Sequence, residues 1–114
     1  MRKLATSIVA AAILCSSPVW GDDLAIVAAD GTLGIATKSV VHHPSTGEYD
    51  VSFSTSKTAC ALTATPGSGD ATVATAGSFA TTAVVRGDPF TVVVTTYDAS
   101  GQLADQGFHL ITRC

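Results

Sequence analysis

The chain has 114 residues, a formal charge of −3, 46% hydrophobic residues and only 13% charged ones. That is one domain's worth of sequence. The few cations beyond Arg2 and Lys3 are Lys38, Lys57, Arg86 and Arg113. They are scattered, which excludes the clustered basic footprint that nucleic acid or an anionic membrane surface requires.

Residues 1–21 have the layout of an export signal. Arg2 and Lys3 form a positive start, Leu4 to Leu14 an apolar run, and Val19-Trp20-Gly21 a cleavage region before Asp22-Asp23. The apolar run is too short for a spanning helix, which needs about 20 residues. A lipoprotein acylated at Cys15 is the alternative, but Leu14 is bulky where such a site takes a small residue. Cleavage after Gly21 leaves an all-β domain at 22–114, secreted or periplasmic. It retains two cysteines, Cys60 and Cys114. An even pair in a small exported domain points to a disulfide. Such a domain buries only roughly 60–65% of its unfolded surface. A bridge closing about 55 residues would add about 4 kcal/mol on chain-entropy grounds.

The rest of the chain is rich in Thr, Val, Ala, Ser and Gly, which suits strands and turns better than helices. Leu24 to Ala29 reads as a strand, and Asp30-Gly31 as a hairpin turn. Leu33 to His42 reads as one second strand, turned by Pro44 to Gly47. Glu48 to Thr55 alternates, with Tyr49, Val51 and Phe53 on one face and polar residues on the other. Ala59 to Thr65 places Cys60, Leu62 and Ala64 together. Pro66 to Asp70 is a loop and Ala71 to Ala76 a weak strand. Phe79 to Arg86 and Phe90 to Tyr97 follow, the second apolar on both faces and therefore central. Gly107 to Cys114 closes the chain, with Phe108, Leu110, Thr112 and Cys114 sharing a parity. That parity points both cysteines into one core. The expected fold is a single small antiparallel β-sandwich or flattened barrel of roughly six to eight strands.

The segments Tyr97-Asp98-Ala99-Ser100-Gly101, Ala104-Asp105 and Phe108-His109-Leu110 with the final Cys114 resemble the end of a small β domain. That domain occurs in uncharacterised bacterial exported proteins, some attached to phage-tail or fibre-like chains. Gly47 to Phe53 followed by Cys60 is similar to its middle, with Ala59 and Gln102 standing where that pattern carries glycine and asparagine. The resemblance implies a compact disulfide-tied module in the export space and no reaction.

Several residues invite chemical readings. Ser100, Asp105 and His109 are the types of a hydrolytic triad, but no nucleophile elbow accompanies them and two are ordinary turn residues. His42, His43 and His109 are metal-ligand types, yet neighbouring histidines on a strand face opposite ways. Asp98, Ser100 and Gln102 alternate like a calcium loop without its closing carboxylates, and read better as a turn. Asp22, Asp23 and Asp30 read as a solvated N-terminal region. Thr63-Ala64-Thr65 is one copy of a spacing that ice- or sugar-binding arrays repeat. Tyr97 is a candidate rim aromatic, with core packing the favoured reading.

No catalytic residue, cofactor or metal is called for. The expected role is a non-catalytic binding or structural module, acting through a strand edge or loop cluster on a protein or surface partner, with self-association open. A small secreted hydrolase, or a protease inhibitor presenting Pro66 to Asp70, are the alternatives.

Overall fold

A computed structural model describes residues 22–67 and 77–114. Eight strands follow in order: β1 (Asp23–Val27), β2 (Leu33–Ala36), β3 (Ser39–Ser45), β4 (Glu48–Phe53), β5 (Ala61–Pro66), β6 (Phe79–Val85), β7 (Asp88–Tyr97) and β8 (Phe108–Arg113). They form two four-stranded antiparallel sheets, A in the order β2-β1-β8-β5 and B in the order β3-β4-β7-β6. The sheets pack as a sandwich, and among the described residues there is no helix. The Ala71–Ala76 strand and residues 68–70 of the Pro66–Asp70 loop lie outside the described residues.

The core follows from side-chain alternation on the four central strands. Ala25 and Val27 of β1, Tyr49, Val51 and Phe53 of β4, Val92 and Val94 of β7, and Phe108 and Leu110 of β8 are all buried. The edge strands contribute half-buried Leu33, Ala36, Val41, Leu62, Ala64 and Ala80. Each fully buried Val, Leu or Phe is worth about 1.5–3 kcal/mol. The alternation read in Glu48 to Phe53 and in Phe108 to Thr112 is present, and the Phe90 to Tyr97 run lies inside sheet B as expected.

The single second strand read from Leu33 to His42 is instead two strands in different sheets. Thr37 makes the break. Its amide and hydroxyl both donate to the Leu24 carbonyl, at 3.0 and 3.3 Å, and its Oγ1 accepts the Leu24 amide at 3.2 Å. The side chain thus replaces the next rung of the β1–β2 ladder, and the chain crosses to sheet B at Ser39.

The Cys60–Cys114 disulfide is present, joining positions 54 residues apart. It does not enter the core, as strand parity had suggested. Cys60 precedes β5 and Cys114 follows β8, so both have left the ladder where parity holds. The bridge lies at the end of sheet A, where Asp22 also accepts the Cys114 amide at 2.7 Å and the Arg113 guanidinium at 2.9 Å.

Candidate functional site

Two polar clusters occupy the sandwich, and both are built by residues that tie loops to sheets. In the first, the Lys57 side chain is 0% exposed. Its ammonium donates to the Asp23 carboxylate and to Thr55 Oγ1, the latter at 3.1 Å, and lies 4.9 Å from the Phe53 ring centroid. Its backbone amide donates to the Pro89 carbonyl at 2.7 Å. Burial alone would raise the Asp23 pKa. Hydrogen bonds from Lys57, Thr37 and Thr55, with the Lys57 charge, outweigh it and hold the carboxyl below its ordinary value. The expectation of a solvated N-terminal region is therefore corrected for Asp22 and Asp23 and holds for exposed Asp30. Asp23 is the counterion of a buried lysine, Asp22 binds the C-terminal strand end, and Asp30 turns its Oδ1 to the Thr32 amide at 2.9 Å.

The second cluster centres on His43. Its ring stacks on Tyr49 at 4.2 Å between centroids and 4° between planes. Nδ1 lies 2.7 Å from the Glu48 carbonyl and Nε2 lies 3.3 Å from Asp105 Oδ1. Both nitrogens face acceptors, which favours the doubly protonated ring. The Glu48 carbonyl raises its pKa most, burial opposes, and Asp105 and Asp30 add to the rise. Asp105 is lowered, chiefly by the Gly47 amide it accepts at 2.7 Å, with His43 adding. Below them Tyr49 is fully buried, donates to the Ala29 carbonyl at 2.6 Å and meets Phe108 edge-on. Burial, with the Asp105 charge second, pushes its phenol up to about 12.

This arrangement separates the residues of the considered triad. Asp105 pairs with His43, not with His109. Ser100 donates its amide and hydroxyl to Asp98 Oδ1, at 2.9 and 2.6 Å, inside a tight turn that also takes the Gln102 amide. His109 stands on the outer face of sheet A, opposite Ile26 and Thr65. His43 has both nitrogens engaged, so neither is left to accept a nucleophile's proton. The three histidines also diverge. His42 faces out of sheet B opposite Asp50, His43 packs on Tyr49, and His109 belongs to the other sheet. Among the described residues no three His, Cys, Asp or Glu side chains are grouped to hold a metal ion. The Asp98 carboxylate is occupied by its own turn. Tyr97 is not packed in the core. It has the outward parity of Val93 and Thr95 and stacks on Phe79, ring centroids 4.7 Å apart.

The exposed apolar surface is the feature that the sequence reading missed. Leu24, Ile35 and Ile111 are 40%, 73% and 49% exposed on the outer side of sheet A. Leu24 is directly opposite Ile111 across the β1–β8 ladder. Leu24 and Ile111, with Ala25, Ile26, His109 and Leu110, frame a shallow apolar depression of about 160 Å³. The signal was in the sequence. Leu24 and Ile26 share one parity of β1, Ala25 and Val27 the other, so a strand apolar on both sides in a two-layer fold must show one side to water. No helix among the described residues is long and apolar enough to cross a membrane. No family model, curated protein or solved structure matches this chain.

Proposed function

We propose that the chain is a non-catalytic exported module that binds a protein partner through the outer face of sheet A. The observation that carries this reading is exposed Leu24 and Ile111 at the depression beside His109, with exposed Ile35 on the same outer side of sheet A. Exposed apolar residues grouped on one face mark interaction surfaces. The depression is well below the roughly 300–1,000 Å³ of a small-molecule pocket, so its scale suits one apolar side chain from a polypeptide. Export is supported by the signal-like layout of residues 1–21, and the disulfide is compatible with an oxidising compartment. The likeness of Gly47–Phe53 and Tyr97–Cys114 to modules of exported and phage-tail-associated chains is part of the same proposal.

The test is affinity capture from the envelope fraction and culture supernatant, run in parallel with wild type, Ile111→Lys and Arg86→Ala. A partner retained by wild type and Arg86→Ala but lost with Ile111→Lys supports the reading. Partners indifferent to Ile111→Lys, or hydrolytic activity that disappears with His43→Phe, would replace it.

A further inference from the structure

We infer that Lys57 and Asp23 are the precursors of a covalent cross-link, an isopeptide bond from Lys57 Nζ to Asp23 Cγ formed with loss of one water and with Thr55 as the proton relay. The buried ion pair is the state of the newly folded chain, and the amide is its end product. The inference does not depend on the outer face of sheet A.

Nucleophile and electrophile are held together by elements of both sheets. Asp23 opens β1, where its amide donates to Thr112 Oγ1 at 3.1 Å and its backbone pairs with β8. Lys57 lies in the β4–β5 crossing, where its amide donates to the Pro89 carbonyl at 2.7 Å. The Lys57 side chain is fully buried and that of Asp23 nearly so, and the Phe53 ring covers Nζ at 4.9 Å from its centroid. That burial limits water at the pair. Two groups fixed in contact react as one molecule, an advantage that reaches about 10⁵–10⁸ M in effective concentration for well-oriented reactants. Taking both charges out of water also brings the neutral amine and carboxylic acid closer in energy to the ion pair. One proton passing along the Nζ–Oδ2 contact makes that neutral pair.

The third group is Thr55. Its Oγ1 accepts a hydrogen bond from Lys57 Nζ at 3.1 Å and donates one to Asp23 Oδ2 at 3.3 Å. The nitrogen that must lose a proton and the oxygen that must gain one are thus joined through one hydroxyl, in the direction the reaction needs. The Nζ lone pair attacks Cγ, and the carbonyl electrons move onto Oδ1. Thr55 takes a proton from Nζ and passes its own to the Oδ2 hydroxyl. The Cγ–Oδ2 bond then breaks, Oδ1 regains its double bond to Cγ, and Oδ2 leaves as water. One amide and one water replace one amine and one carboxylic acid, and no oxidant or reductant is consumed. The bond ties positions 34 residues apart and holds β1 to the β4–β5 crossing even when the Cys60–Cys114 bridge is reduced.

The test is peptide mass spectrometry of the folded, oxidised protein, sampled at intervals after synthesis, then reduced and digested with trypsin. Wild type should yield the peptide ending at Lys38 joined to the peptide carrying Lys57, one water lighter than their sum and uncut after Lys57. The joined product should accumulate with time. Asp23→Ala with Lys57→Met removes both charges together and should fold without forming the link. Thr55→Val should keep the fold, read by disulfide closure and amide exchange at β8, and slow the linkage about tenfold or more. Thr55→Ser should restore the rate. A folded wild type whose two peptides stay separate after prolonged incubation overturns the inference, whatever the variants do. So does a water loss that maps to Asp30-Gly31 instead of the joined peptides. Linkage in Thr55→Val at the wild-type rate, or in Thr55→Ser as slow as in Thr55→Val, overturns the relay.

Discussion

Lys57 and Asp23 meet as a buried ion pair at one end of the sandwich. The lysine comes from the β4–β5 crossing and the aspartate from the first position of β1. Because the Lys57 amide also binds Pro89 at the start of β7, this residue fastens sheet A to sheet B. Removing the carboxylate that faces a buried ammonium is costly, whereas replacing both partners with apolar groups is less so. Asp23→Ala should therefore lose about 3–5 kcal/mol in urea unfolding with the disulfide intact. Adding Lys57→Met to that variant should recover part of the loss. Strictly additive effects would contradict the coupling.

The His43–Asp105 contact should give stability a defined pH window. His43 is raised in the fold, so its contribution is complete below its ordinary value of 6.5 and fades as pH climbs through the higher folded value. Asp105 is lowered, so its contribution is complete above 3.8 and fades as pH falls through the lower folded value. His43→Phe keeps a ring over Tyr49 and removes the charge. The wild-type advantage over it should be largest between those two values. Solvent at the half-exposed Asp105 limits it to about 1 kcal/mol or less. An advantage that grows above neutral pH would reverse the assignment.

Gly47 is held at φ +74°, and a Cβ there would lie 2.8 Å from the Thr96 carbonyl oxygen. That carbonyl belongs to a residue whose amide already binds the Gly47 carbonyl at 2.8 Å, so it cannot retreat without breaking the contact. Gly87 has a similar φ of +84° but open space around it. Gly47→Ala should cost about 3 kcal/mol and Gly87→Ala about 1, since only the first adds a clash to backbone strain. Equal losses by thermal unfolding would remove the packing argument.

Reduction of the Cys60–Cys114 bond frees a chain segment 54 residues long. It should lower stability by about 2–4 kcal/mol. The paired Cys60→Ser and Cys114→Ser variant should match the reduced wild type. An oxidised protein no more stable than that variant would mean the bridge is mechanically idle.

Most of the strand plan was legible because alternation is a local signal. Tyr49, Val51 and Phe53 declare their face, as do Phe108, Leu110 and Thr112. The β2–β3 break was not legible, since Thr37-Lys38-Ser39 lacks Gly, Pro, Asn and Asp and the crossing depends on the bonds Thr37 makes to Leu24. The buried role of Lys57 was also hidden, because a lysine's counterion 34 positions away is set by tertiary packing. Asp105 was singled out, but its partner proved to be His43, a residue from a different hairpin that no sequence spacing links to it. The outer face of sheet A was readable from Leu24 and Ile26, yet that pattern equally fits a strand covered on both sides.

The proposed function requires a chain that is exported, shortened and locked by sulfur before it binds anything. Intact-mass and peptide mass spectrometry of the protein recovered outside the cytoplasm tests this most directly. The predicted result is a chain beginning at Asp22 with Cys60 linked to Cys114. Full-length chain confined to the cytosol with both thiols free would contradict it.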